Sequence, residues 1–98
     1  MNQIWIATVE AELQPEDVSS GDRLGFMRIS MWASSREEFL HKVEHYFGEY
    51  NWKIISIDNV EAVELSRDYG DEINQMIDET SQNRDWVRLG TFFSYKPN

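Results

Sequence analysis

Residues Ile4 to Leu13 alternate, with Trp5, Ala7, Val9, Ala11 and Leu13 on one side and Ile4, Ile6, Thr8 and Glu10 on the other. A period of two sustained over this length predicts a strand. Pro15 and the polar run Glu16 to Asp22 end it. A second alternating run follows from Phe26 to Ala33, and the two are expected to pair as a hairpin with a long loop at residues 14–23. The period then changes. Phe39, Leu40, Val43, Tyr46, Phe47 and Tyr50 recur at helical spacing. Ser35-Arg36-Glu37-Glu38 just before them fits a capping box. In that motif the serine hydroxyl accepts from the Glu38 N–H, and the Glu38 side chain reaches back to the Ser35 N–H. Gly48 is the expected C-terminal stop.

Trp52 to Ile57, rich in β-branched residues, predicts a third strand. Ile73, Met76, Ile77 and Thr80 share one side of a second helix over about 68–82, and Trp86 to Tyr95 is the last strand. The order is β-β-α-β-α-β. The step from the second strand through the first helix to the third is a crossover, expected to be parallel and right-handed. The expected fold is α+β: a single two-layer domain over residues 1–98, with a four-stranded mixed sheet and both helices packed on one face. A ferredoxin-like βαββαβ order would need a further helix, which the turn-forming loop at 14–23 does not supply.

With both helices on the face of Trp5, Val9, Met27, Ile29, Leu89 and Phe93, the opposite face shows Ile4, Ile6, Phe26, Arg28, Trp32, Arg88 and Phe92. A solvated sheet face normally reads polar. This one carries residue types enriched at interfaces, so it is either a binding surface or is covered by the 14–23 loop or the C-terminal tail.

Charge changes the picture of partners. The 98 residues hold 18 acids against nine Lys and Arg, a net charge of −9. Asp58, Glu61, Glu64, Asp68, Asp71, Glu72, Asp78 and Glu79 crowd one segment in which Arg67 is the only base. A field of one sign argues against nucleic acid and anionic membranes and suits a basic protein surface. The chain has no cysteine, which excludes disulfides and thiolate metal sites. It shows no signal-peptide pattern and no apolar run near the roughly 20 residues that span a bilayer. A cytoplasmic protein is therefore expected.

Three short motifs carry candidate chemistry. His41-Lys42-Val43-Glu44-His45 matches the H-x-x-E-H pattern of the inverted zinc proteases. At about 100° per residue, however, both histidines fall nearly opposite the apolar stripe of their helix, which predicts a solvated pair with no catalytic zinc. Arg88 to Tyr95 resembles the basic-glycine-aromatic strand of RNA-recognition motifs, but an acidic chain lacks the field that phosphates need. The expectation there is a core strand with Gly90 at a bulge or close approach. Tyr69-Gly70-Asp71-Glu72 resembles the Tyr-Gly element of barstar-type ribonuclease inhibitors. The rest of the chain follows another order, so no residue role carries over.

No acid–base constellation stands out, and no cofactor or metal is expected. The leading expectation is a non-enzymatic, acidic protein-binding domain of the inhibitor or immunity kind. It would meet a basic partner through Asp68, Asp71, Glu72, Asp78 and Glu79. The alternative is a homodimeric small-ligand or regulatory domain that uses the open sheet face, with Trp32 and Phe92 as anchors.

Overall fold

The computed structural model describes residues 2–19 and 21–96. Its strands are β1 (Gln3–Glu12), β2 (Leu24–Ala33), β3 (Lys53–Ala62), β4 (Arg88–Leu89) and β5 (Phe93–Tyr95), and its helices are α1 (Arg36–Glu49) and α2 (Asp71–Gln82). One α+β domain results. β1 and β2 form the expected hairpin, in register from Gln3 opposite Ala33 to Glu12 opposite Leu24.

The sheet has five strands in the order β3-β1-β2-β4, with β5 also pairing β2, and every ladder is antiparallel. The expected mixed, four-stranded sheet is corrected in two respects. First, β2 and β3 run parallel as the crossover requires, yet β1 lies between them, so no parallel ladder forms. Second, the last strand is broken. Leu89 faces Ile29, but Phe93 rather than Phe92 faces Phe26, a slip of one residue. Such a bulge moves every later side chain to the other face. It lies just beyond Gly90, which keeps the β4 register, its backbone N–H reaching Arg28 O at 2.8 Å. A Cβ on Gly90 would meet Glu72 Oε1 at 2.6 Å, so α2 approaches this strand closely and a larger residue would displace the Glu72 carboxylate.

α1 begins as its sequence dictates. Ser35 Oγ accepts from Glu38 N at 3.1 Å. The Glu38 carboxylate turns one residue further back than a standard box, accepting from Ser34 N at 3.1 Å and Ser34 Oγ at 2.8 Å. Gly48 lies inside the helix, and the left-handed residue beyond its end is Asn51, at φ 59°. Phe39, Val43 and Phe47 are fully buried against Ala7, Val9, Met27, Ile29 and Met31, and Trp5 stacks on Phe39 at 6.1 Å. Each such side chain contributes roughly 1.5–3 kcal/mol.

α2 packs elsewhere. Successive residues of a strand point to opposite faces. Met27, Ile29 and Met31 face α1, so Arg28, Ser30 and Trp32 face away from it. These three are the residues α2 engages. Ser30 Oγ and Thr80 Oγ1 share a hydrogen bond of 2.7 Å, Trp32 Nε1 donates to Thr80 O at 2.7 Å, and Arg28 lies 3.8 Å from Glu72. The helices therefore sit on opposite faces of the sheet, not on one. The physical reason is that Ile4, Ile6, Ser30 and Trp32 make half of the second face worth burying, and Met76 and Thr80 bury it.

Candidate functional site

β3 is an edge strand, and it leads directly into the acidic segment. Two irregularities bend it against β1, one opposite Ile6 to Thr8 and one opposite Glu10 to Ala11. Asn59 takes a left-handed φ of 55° at the first. Bulges and charges on an edge discourage strand addition by another chain.

The segment from Val63 to Gly70 is held by its own side chains. Val63 N reaches Ile4 O at 2.8 Å, which extends the sheet by one bond. Glu64 N donates to Tyr69 Oη at 2.9 Å. The Arg67 guanidinium sits 4.8 Å from the Tyr69 ring centre and 3.2 Å from Glu61. Gly70 caps α2 with no side chain to offer. Asp68 does the work from two residues back, accepting from Gly70 N at 2.9 Å and Asn74 Nδ2 at 2.8 Å. These donors hold its carboxyl below the usual carboxylate range. Asn74 Oδ1 in turn accepts from Tyr69 N at 3.1 Å.

This frame presents Leu65, 87% exposed, at its tip. Between Leu65 and α2 runs a groove of about 260 Å³, with Val63, Leu65 and Ile77 as its apolar wall and Glu64, Arg67, Asn74, Asp78 and Ser81 as its polar lining. The Glu64 carboxylate has no partner among the described residues, and Asp78 meets only Gln82 Nε2, at 3.3 Å, through its carboxylate. Asp71, in the first turn of α2, also has no partner among the described residues.

Other expected partner-binding residues serve the fold. Glu72 accepts from Thr91 Oγ1 at 2.7 Å and Thr91 N at 3.3 Å. The Thr91 hydroxyl, with lesser help from Arg28, holds the Glu72 carboxyl below its ordinary range. Glu79 pairs with Arg88 at 3.0 Å. Both acids tie α2 to the sheet. Trp32 is half-buried beside α2, with the Arg84 guanidinium 5.1 Å from its ring centre. Phe92 lies on the other face, packed on the core over Gly25. Trp32 and Phe92 therefore form no common surface, because the slip before β5 exchanges the roles of Phe92 and Phe93.

The second sheet face is divided. α2 covers the half with Ile6, Ser30 and Trp32 and leaves Phe26 (40% exposed) and Phe93 (58% exposed) in view. Tyr95 packs beside Phe26 at 5.5 Å, and its hydroxyl donates to the Glu10 carboxylate. His41 and His45 are exposed, with His45 Nε2 2.9 Å from Glu49. Among the described residues, no group of three or more His, Asp and Glu side chains is placed to hold a metal ion, and no helix is long and apolar enough to cross a membrane.

Sequence reasoning pointed to the acidic segment but missed Leu65, Val63 and Ile77 as its apolar component. The available signal was Leu65 itself, an isolated large apolar residue between Glu64 and Ser66. No family model matches this chain, and neither a curated protein nor a solved structure shows significant similarity to it.

Proposed function

We propose that the protein is a non-enzymatic, acidic protein-binding domain that receives a basic segment of a partner on the β3–α2 surface. The groove between Leu65 and α2 carries this reading. Its wall of Val63, Leu65 and Ile77 suits the aliphatic stem of a Lys or Arg side chain, Glu64 and Asp78 offer carboxylates to its cation, and Arg67, which also lines the groove, is paired with Glu61 at 3.2 Å. Asp71 and Asp58 extend the negative surface, and the net charge of −9 draws a basic partner in. Steering of this kind raises the association rate and makes it salt-sensitive. Where the partner's basic surface is its own active site, such binding is inhibition, and an immunity-type role follows.

Decalysine, labelled and followed by fluorescence anisotropy, tests the reading. Saturable binding should weaken steeply with added salt and drop by roughly tenfold in the Glu64→Gln, Asp78→Asn double variant. Binding unaffected by those substitutions would place the basic partner elsewhere.

Self-association through Phe26 and Phe93 is a second reading, favoured by their exposure on one strip of sheet. It stands second because two copies of charge −9 repel one another.

A further inference from the structure

A larger recess, about 560 Å³, opens between the outward side of α1, the end of β2 and residues 84–87. The brevity of β4 creates it. β4 pairs with β2 only at Ile29 and Ser30, so beyond that point the β2 edge faces side chains rather than a strand. Lys42 reaches across from α1 and donates to Trp32 O at 3.1 Å.

The walls are aromatic and the margin carries charges of both signs. Trp32 is fixed in orientation by its bond to Thr80 O and by the Arg84 guanidinium over its ring. Trp86, 47% exposed, also lines the recess. Tyr46 lines it too, and burial pushes that phenol up to about 12, so it remains neutral. Lys42, Arg84 and both histidines of this acidic chain also line it. Of the three acids that line it, Glu38 is paired with Lys42 at 3.3 Å and held by Ser34, Glu49 lies 2.9 Å from His45 Nε2, and the Asp85 carboxylate has no partner among the described residues. Arg84 pairs with no carboxylate among the described residues. Volumes of roughly 300–1,000 Å³ with mixed apolar and polar walls are typical of small-molecule sites.

We propose that this recess binds a small planar aromatic carboxylate. The ring lies against the indoles of Trp32 and Trp86, and the carboxylate meets the Arg84 guanidinium, whose paired N–H groups match two oxygens. Asp85, also at the margin, opposes every anion and polyanions most, so the Arg84 guanidinium and the two indoles have to outweigh it. This site is separate from the Leu65 groove and stands or falls independently of it.

Isothermal titration of the intact protein with 2-naphthoate, 2-naphthylmethylammonium and acetate tests the proposal. Naphthoate should bind saturably, and the aromatic cation and the ringless anion should each bind at least about tenfold more weakly. Arg84→Gln and Trp86→Ala should each weaken naphthoate by roughly tenfold at an unchanged melting temperature, whereas Phe93→Ser should leave it unaltered. No saturable heat with naphthoate, equal binding of the cation, or full affinity in a folded Arg84→Gln variant would overturn the assignment.

Discussion

The buried hydroxyl pair of Ser30 and Thr80 offers the most incisive test of how α2 meets the sheet. Both residues are fully buried, and their oxygens lie 2.7 Å apart. Thr80→Val keeps the shape of the side chain and removes its hydroxyl, which leaves Ser30 Oγ buried without that partner. An orphaned buried hydroxyl costs about 1–3 kcal/mol, and Ser30→Ala should cost a similar amount by orphaning Thr80 Oγ1. Replacing both removes the donor and the acceptor together, so the double variant should lose less than the sum, with a coupling of about 0.5–3 kcal/mol. Urea unfolding followed by tryptophan fluorescence reads these differences. With a slope of about 1–3 kcal/mol per molar urea for small domains, each single substitution should lower the midpoint by roughly 0.5–2 M. Strictly additive effects, or single variants as stable as wild type, would refute the placement of α2 on the face opposite α1.

Other expectations follow from single contacts. Glu72 has its pKa lowered in the folded state, so its contribution is present above its ordinary value of 4.5 and is lost as pH falls through the lower folded value. The melting temperature should therefore decline below about pH 4.5, and Glu72→Gln should flatten that decline in a pH series. Ser35→Ala removes the cap of α1 and should cost about 0.5–2 kcal/mol by chemical denaturation; an unchanged midpoint would contradict the cap geometry. His41→Ala with His45→Ala should shift stability by about 0.5 kcal/mol or less, since both side chains are solvated, and a larger loss in the same measurement would contradict that exposure.

Periodicity made the architecture legible where one face of an element is apolar. The alternation of Ile4–Leu13 and Phe26–Ala33 and the Phe39-Val43-Phe47 stripe located the hairpin, α1 and the main core. It failed where both faces of a strand are apolar, because pattern alone does not say which helix covers which face. Ile6, Arg28 and Trp32 looked like an open surface and are instead the seat of α2. The close approach at Gly90 was foreseen, but the slip just beyond it was not: one residue of shift sends Phe92 to the core and Phe93 to solvent. Charge composition was equally blind to pairing. Glu72 and Glu79 read as free acids, because Arg28, Thr91 and Arg88 come to them only through the fold. Asp71 and Glu64 read the same way and do remain unpaired among the described residues.

The central claim is that the β3–α2 surface receives a basic segment. Amide chemical-shift mapping of the ¹⁵N-labelled protein titrated with decalysine locates that contact directly. The account predicts perturbations that centre on Glu64, Leu65, Ile77 and Asp78 and fade with added salt. Shifts centred instead on Phe26 and Phe93, or spread evenly over all the acidic residues, would contradict it.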